Sequence, residues 1–94
     1  MTPPDATATV VLKNEQGLHA RPSALIVKTA NSEPFKAVSV TLRVGTREAD
    51  CKSIMEVMML ASPRGTELVF EARGSGAALA VQALVQLVDA GFGE

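Results

Sequence analysis

The residue of this chain best suited to covalent chemistry is His19, the only histidine among its 94 residues. Gly17 permits a tight turn just before it, and Ala20, Arg21 and Pro22 are typical of the first turn of a helix. Proline is tolerated there because the first amides of a helix have no intrahelical partner. The sequence therefore predicts an imidazole at the N-terminus of a helix.

Such an arrangement suits the binding of an anion beside a nucleophile. The free amides of Ala20 and Arg21 and the positive end of the helix dipole surround the imidazole, and the Arg21 guanidinium can bind two phosphate oxygens at once. An exposed imidazole is largely neutral near pH 7, and hence nucleophilic. The alternatives are a histidine that only caps the helix and an arginine that is merely solvated. The residue types around His19 favour a phosphate site.

Composition limits the classes of function. Nine basic residues against ten acidic ones give a net charge of −1, so the basic excess of nucleic-acid and membrane-surface binders is missing. The single cysteine, Cys51, cannot form an internal disulfide, and one histidine provides no zinc-binding cluster. We therefore expect no metal, no cofactor and no nucleic-acid partner.

The length of the chain favours a single domain over residues 1–94 with one two-layer core, in which residues 1–6 form a loose N-terminal leader. The N-terminal segment lacks the basic and apolar regions of a signal peptide, and no apolar run approaches membrane-spanning length. We expect a cytoplasmic protein with no membrane insertion.

Hydrophobic periodicity predicts the element order βαββαβα. The predicted strands cover residues 7–13, 35–44, 46–50 and 66–72; the predicted helices cover 20–31, 53 to just before Pro63, and 77–90. Short turns between most strands favour antiparallel pairing, and such a sheet can leave one face to solvent while helices cover the other.

The first two helices carry apolar groups that one core cannot bury. In the second helix, Val57, Leu60 and Ala61 are predicted to face inward, which leaves other apolar side chains outward. We define the docking patch as the predicted outward residues of both helices with Lys52: Ala20, Ala24, Leu25, Lys28, Lys52, Ile54, Met55 and Met58. Methionine and leucine are usually core residues, which is the alternative, but an exposed apolar patch beside a phosphate site indicates a surface that binds partner proteins.

Ser53 and Glu56 have the spacing of a capping box at the start of the second helix. In a capping box, the serine hydroxyl and the glutamate carboxylate each accept a hydrogen bond from a free amide of the first turn. This structural role is predicted for Ser53 whatever else the residue does.

Two segments resemble the HPr family, the histidine-containing phosphocarriers of the bacterial phosphoenolpyruvate-dependent phosphotransferase system. Residues 17–31, GLHARPSALIVKTAN, resemble the active-site segment of that family, and residues 52–60, KSIMEVMML, resemble its regulatory-serine segment. The resemblance implies an α+β fold, an open-faced β-sandwich with a four-stranded antiparallel sheet and three helices on one face. The region between the two segments is a few residues longer than in the family, and we expect loops to absorb the difference.

The resemblance also implies a function. His19 would carry a phosphoryl group on Nδ1, receive it from a phosphoenolpyruvate-charged donor, enzyme I, and pass it to a histidine of a sugar-specific acceptor, enzyme IIA. The docking patch would contact these partners, and an HPr kinase/phosphorylase would phosphorylate Ser53, although Glu56 replaces the small or basic residue typical of the family. We expect a monomer that turns nothing over alone. The alternative is a regulatory interaction module that acts through phosphorylated Ser53 without a role in sugar transport; the intact GLHARP motif favours the carrier.

Overall fold

Four strands form one antiparallel sheet in the computed structural model of the chain, which describes residues 3–94. The strands are β1 (Ala6–Val11), β2 (Ser39–Val44), β3 (Arg47–Asp50) and β4 (Glu67–Arg73), in the spatial order β1-β4-β2-β3. The helices are α1 (Ala20–Ala30), α2 (Ile54–Met58) and α3 (Ala77–Asp89), and a 3-10 turn follows at Gly91–Gly93. The predicted element order and the open-faced α+β sandwich are confirmed.

The core lies between the sheet and the helices, as the alternation of β4 shows. Leu68, Phe70 and Ala72 are fully buried, whereas the residues between them are only partly covered. Ile26 of α1 and Leu84 of α3 are buried in the same cluster. A strand with one buried face and one open face is what an antiparallel sheet with helices on one side requires. Within residues 3–94, no helix combines the length and hydropathy needed to cross a bilayer.

The predicted leader is wrong at its C-terminal end. Ala6 belongs to β1 and pairs with Ala72 of β4. Asp5 is also held, because its amide donates to the Ala72 carbonyl over 2.9 Å and its carboxylate accepts from the Gly74 amide over 2.7 Å. Pro3 and Pro4 have no regular structure, and the first two leader residues lie outside the described part of the chain.

The second strand begins later than the sequence predicts. The segment from Phe35 was expected to be strand because it is rich in β-branched residues, but β2 begins at Ser39. Turn hydrogen bonds occupy the preceding segment: the Phe35 amide donates to the Ser32 carbonyl over 2.7 Å, and the Val38 amide donates to the Phe35 carbonyl over 2.9 Å. Backbone groups committed to these turns are not available to the sheet.

Helix α2 also ends earlier than predicted, at Met58 rather than just before Pro63. The Arg47 guanidinium donates to the Met59 carbonyl, which satisfies one of the backbone acceptors that a helix leaves free at its C-terminus. Ala61 then adopts a positive φ of 28°, which no helix continues through. The cap and the backbone reversal, not the proline, terminate the helix.

The inward face of α2 is confirmed for two of its three predicted residues. Val57 is fully buried and Leu60 is 3% exposed. Ala61 is exposed, so its predicted inward position is wrong. The reason is the early end of the helix, because a residue beyond the last turn no longer follows the helical periodicity.

The loop before α1 is fastened to the loop before β4. The Leu18 amide donates to the Ser62 carbonyl over 2.7 Å, and the Gly65 amide donates to the Leu12 carbonyl over 2.9 Å. Gly17 lies in this contact with a φ of 67°, and a Cβ added there would lie 2.3 Å from the Ser62 carbonyl oxygen. Only glycine fits both the backbone angle and the space. The two loops therefore keep a fixed separation.

Candidate functional site

The imidazole of His19 does not cap the helix that it precedes. His19 occupies the N-cap position of α1 with an extended backbone, φ −95° and ψ −168°, but its side chain makes no hydrogen bond to the first turn. Instead, Nε2 lies 3.2 Å from Oε2 of Glu94, and one third of the His19 side chain is exposed. The ring is therefore held by a distant part of the chain and remains open to solvent.

The first turn of α1 offers two free amides beside this ring. The Ser23 amide donates to the His19 carbonyl over 3.1 Å, which closes the first turn. Pro22 has no N–H, so the donors that remain at the helix start are the amides of Ala20 and Arg21, which have no intrahelical acceptor. These two N–H groups and the positive end of the dipole can bind an anion at the position predicted from the sequence.

Two residues outside the predicted site fix its geometry. Asn14 is 94% buried, and its Nδ2 donates to the Gly17 carbonyl over 2.7 Å and to Oε1 of Glu94 over 3.3 Å. The other carboxylate oxygen of Glu94 faces Nε2 of His19. Because a carboxylate only accepts hydrogen bonds, Nε2 must carry the ring proton, and the lone pair of the neutral imidazole then lies on Nδ1. In this tautomer Nδ1 is the ring nitrogen with a lone pair available for a bond.

Sequence reasoning missed the roles of Asn14 and Glu94 for different reasons. An asparagine three residues before a glycine is a common turn signal, so Asn14 was detectable in principle. Glu94 lies 75 positions from His19, and no local pattern connects them. Only the fold brings this carboxylate to the imidazole.

Two surface depressions meet at His19. The first, of about 340 Å³, is largely apolar; it is lined by Gln16, Leu18, His19, Ala20, Met58, Ala61, Ser62 and Pro63. The second, of about 710 Å³, is polar and contains three cations; it is lined by Lys13, Asn14, Glu15, Gln16, His19, Arg21, Arg64, Gly91 and Glu94. The imidazole thus separates an apolar surface from a charged one, and Arg21 lies on the charged side, as the phosphate-site hypothesis requires.

The residues of the docking patch are exposed or half-buried, as the sequence predicts. Ala20, Ala24 and Lys28 are exposed on α1, and Leu25 and Lys52 are half-buried. On α2 the exposed fractions are 38% for Ile54, 74% for Met55 and 45% for Met58. Since α1 and α2 pack against each other, these groups lie on adjoining surfaces.

One residue extends the docking patch beyond the prediction. Met59, directly after α2, is 73% exposed. Met58 lines the apolar depression together with His19 and Ala20, so the patch reaches the imidazole. Clustered exposed apolar side chains on a small protein indicate a protein-binding surface.

The predicted capping box at Ser53 is half confirmed. Ser53 is the N-cap of α2, and its Oγ accepts from the Glu56 amide over 3.3 Å. The glutamate half is wrong, because Oε1 of Glu56 accepts from the Asp50 amide over 3.0 Å. The Ser53 amide is already bonded to the Asp50 carbonyl over 3.0 Å, which leaves no donor there for the carboxylate.

Cys51 takes no part in the site. Its thiol is fully buried, and burial raises its pKa to about 12, with a smaller contribution from the charge of Asp50. A thiol in this state is a poor nucleophile and a poor ligand. Among residues 3–94, no cluster of histidine, cysteine and carboxylate side chains has the geometry of a metal site.

The chain is thus an open-faced sandwich with one histidine at the start of its first helix. Two free amides lie next to this histidine, which stands between an apolar depression and one that contains Arg21. Comparison with known families gives a match over residues 6–90 to PTS-HPr, described as the PTS HPr component phosphorylation site. The chain belongs to the HPr family, the phosphocarrier proteins of the phosphotransferase system.

The relatives include both small carriers and longer proteins. HPr of Xylella fastidiosa is 38% identical over 85 residues, which cover 90% of this chain and 92% of that protein. The multiphosphoryl transfer protein of Haemophilus influenzae is 36% identical over 87 residues, which cover 93% of this chain. The chain spans only 17% of that longer relative.

Solved structures show the same fold. The crystal structure of HPr from Thermoanaerobacter tengcongensis has a TM-score of 0.86 and 35% identity, and the match covers 95% of this chain and 97% of that one. A second structure from that organism, described as an HPr dimer, has a TM-score of 0.72 and 37% identity, with 93% and 97% of the two chains covered.

Proposed function

We propose that His19 is the phosphoryl-carrying residue of this chain and that the group is held on Nδ1. The hydrogen bond between Nε2 and the Glu94 carboxylate carries this proposal, because it leaves the Nδ1 lone pair as the nucleophile. The donor is a phosphoenolpyruvate-charged enzyme I, and the acceptor is a histidine of a sugar-specific enzyme IIA. The family to which the chain belongs supports this order of transfer.

The transfer consists of two substitutions at phosphorus. The Nδ1 lone pair forms a bond to the phosphorus atom on the donor, and the bond from phosphorus to the donor breaks with its electron pair returning to the donor group. In the second step the acceptor histidine attacks the same phosphorus, and the electron pair of the Nδ1–P bond returns to Nδ1. The proton on Nε2 stays in place, facing Glu94. No redox change and no further reactant are involved.

The chain contributes charge stabilisation and position to these steps. The amides of Ala20 and Arg21 and the Arg21 guanidinium are placed to bind the equatorial oxygens of the transferring group, where negative charge is concentrated. Catalysis of phosphoryl transfer is largely a matter of such positioning. The partner proteins supply the rest of each active site, so the chain turns nothing over alone.

The docking patch is the surface that enzyme I and enzyme IIA cover. Its apolar groups are exposed, and Met58 lines the same depression as His19, so a partner seated there lies next to the imidazole. Methionine side chains adapt to different partners because they are flexible and polarizable. We further propose that an HPr kinase/phosphorylase modifies Ser53 at the start of α2, and that the carrier works as a cytoplasmic monomer.

The decisive experiment is phosphorylation by a reconstituted donor. The chain is incubated with phosphoenolpyruvate and enzyme I, and the product is tested for an acid-labile, base-stable phosphate. The wild type should acquire one, and His19→Ala should acquire none while keeping the circular dichroism spectrum of the wild type. An acid-labile phosphate on His19→Ala, or none on the wild type, contradicts the proposed function.

A further inference from the structure

Two arginines of the described chain have no partner, and both lie beside His19. Arg43 pairs with Glu71 and Glu48, Arg47 donates to a backbone carbonyl, and Arg73 is also engaged. Within residues 3–94, the guanidiniums of Arg21 and Arg64 form neither an ion pair nor a hydrogen bond, and both line the polar depression next to the imidazole. An exposed, unpaired guanidinium in a concave site is available for an anion.

The backbone of Arg64 is held in position relative to His19. Arg64 lies in a turn closed by the Thr66 amide and hydroxyl, which donate to the Pro63 carbonyl over 3.2 and 2.7 Å. The next residue, Gly65, is bonded to Leu12 at the end of β1. On the other side of the turn, the Ser62 carbonyl accepts from the amide of Leu18, the residue before His19. The guanidinium therefore starts from a fixed anchor next to the imidazole.

When His19 is phosphorylated, the negative charges in the polar depression exceed what Arg21 alone can offset. Glu94 and Glu15 bring two carboxylates to its wall, and Glu94 is within 3.2 Å of the ring. Lys13 is already paired with Asp89. A phosphoryl group on Nδ1 adds up to two more negative charges at this place, which Arg21 alone does not offset. Arg64 is the remaining uncommitted cation on the wall.

We propose that Arg64, which lines the same depression as His19 and Arg21, binds the phosphoryl oxygens on phosphorylated His19. This inference rests on the proposed function of His19. Its consequence is that Arg64 favours the dianionic form of the bound phosphoryl group and the phosphorylated state of the chain. Arg64 acts on the bound group, not on partner recognition.

Phosphorus NMR of the phosphorylated chain tests the contact without any acceptor present. In wild type the phosphohistidine signal shifts with pH in two steps, as the phosphoryl group and the ring nitrogen Nε2 each lose a proton; the step at lower pH is that of the phosphoryl group, and its midpoint is the one compared. Arg64→Gln should raise the midpoint of this shift by about half a pH unit, because an opposite charge nearby favours the charged form. The midpoint of Arg64→Lys, which keeps the charge, should lie between those of the wild type and Arg64→Gln. Lys36→Gln removes one positive charge from a loop outside the site and should leave the midpoint unchanged.

The outcomes separate the two proposals. No phosphorylation of the wild type contradicts the function of His19 itself. Normal phosphorylation of Arg64→Gln with the midpoint of the wild type overturns the role of Arg64, and so does a raised KM for enzyme I with an unchanged midpoint, since that pattern indicates partner contact. A raised midpoint in Arg64→Gln and also in Lys36→Gln overturns it too, because a general loss of charge would then explain the effect.

Discussion

The carboxylate of Glu94 faces Nε2 of His19 at 3.2 Å, although the two residues are 75 positions apart in the sequence. The same carboxylate accepts from buried Asn14, which in turn holds the backbone of Gly17 just before the imidazole. The proton on Nε2 and the orientation of the ring are thus set by one network. This network leaves the ring lone pair on Nδ1, which is the nitrogen that reacts in the proposed transfer.

Glu94→Gln should reverse the preference for this tautomer. The amide group can donate to Nε2, which favours the proton on Nδ1, and phosphoryl transfer should slow about tenfold because a charge-assisted hydrogen bond is lost. Nitrogen NMR of the ring at pH 8 measures the tautomer ratio directly, and a stopped-flow assay measures transfer. Glu15→Gln, in the same depression but without a bond to the ring, is the matched control. An unchanged tautomer ratio in Glu94→Gln contradicts the prediction.

Arg21→Lys should impair transfer although it conserves charge. A guanidinium can donate two parallel hydrogen bonds to phosphate oxygens, and an ammonium group cannot reproduce that fork. Transfer should slow well beyond the effect of Lys36→Arg, a conservative change at an exposed residue outside both the depression and the docking patch. Transfer kinetics like those of the wild type would show that Arg21 is only solvated.

Met55→Asp and Met58→Asp should weaken binding of both partners with little change in thermal stability. Both side chains are exposed, so an aspartate does not enter the core, but it must lose its hydration when a partner covers the patch. Leu79→Asp on α3 is the control, because Leu79 is 60% exposed but belongs to another helix. Titration calorimetry gives the affinity. A drop of more than about 2 kcal/mol in unfolding free energy would mean that the side chains are core after all.

Ser53→Asp should slow transfer to His19, and Ser53→Ala should not. Aspartate keeps the N-cap acceptor of α2 and adds a charge beside Ile54 and Met55, where a partner must cover it. Alanine removes the cap, which typically costs about 1 kcal/mol of stability, but introduces no charge. Transfer rates for both variants, with thermal midpoints as a check of folding, distinguish the effects. Equal, wild-type rates in both would reduce Ser53 to a helix cap.

Cys51 makes stability depend on pH in the alkaline range. Folding raises the pKa of this thiol from 9.0 to about 12, so the native state holds the proton more tightly than the unfolded chain. The stabilisation is fully present below pH 9 and is lost as the pH rises from 9 toward 12. Relative to Cys51→Ala, the unfolding free energy of the wild type should fall by up to about 1.4 kcal/mol per pH unit in that range. Urea titrations at pH 8 and pH 10.5 measure the difference; a constant difference contradicts the prediction.

The local sequence pattern predicted a strand or helix correctly where a single local cause, such as burial of one face, determines the structure. Strand β4 alternates cleanly because one face is buried, and the start of α1 is marked by a turn glycine and a first-turn proline. The end of α2 was mispredicted because the competing cause is distant: the Arg47 guanidinium caps the Met59 carbonyl from β3, and nothing near residue 59 in the sequence signals it.

The candidate site also contains residues that the local sequence predicts and residues that only the fold brings to it. His19 and Arg21 are two positions apart in the sequence, and their types and spacing predict a phosphate site. Glu94 and Arg64 enter only through the fold, the first from the end of the chain beyond α3 and the second from the turn before β4. A carboxylate or a guanidinium on an ordinary turn has no local feature that indicates its neighbour in space.

The close contact at Gly17 limits which positions of the site can accept substitutions. The position has room for backbone but not for a methyl group, because a Cβ there would meet the Ser62 carbonyl oxygen at 2.3 Å. Side chains on the rim of the site are adjustable, since a larger or smaller group changes one contact at a time. The distance between the loop before α1 and the loop before β4 cannot be adjusted in this way, because it is fixed by a contact between backbone atoms. We therefore expect changes of partner to be tolerated at side chains on the rim, whereas any side chain at Gly17 would alter the spacing that holds the imidazole.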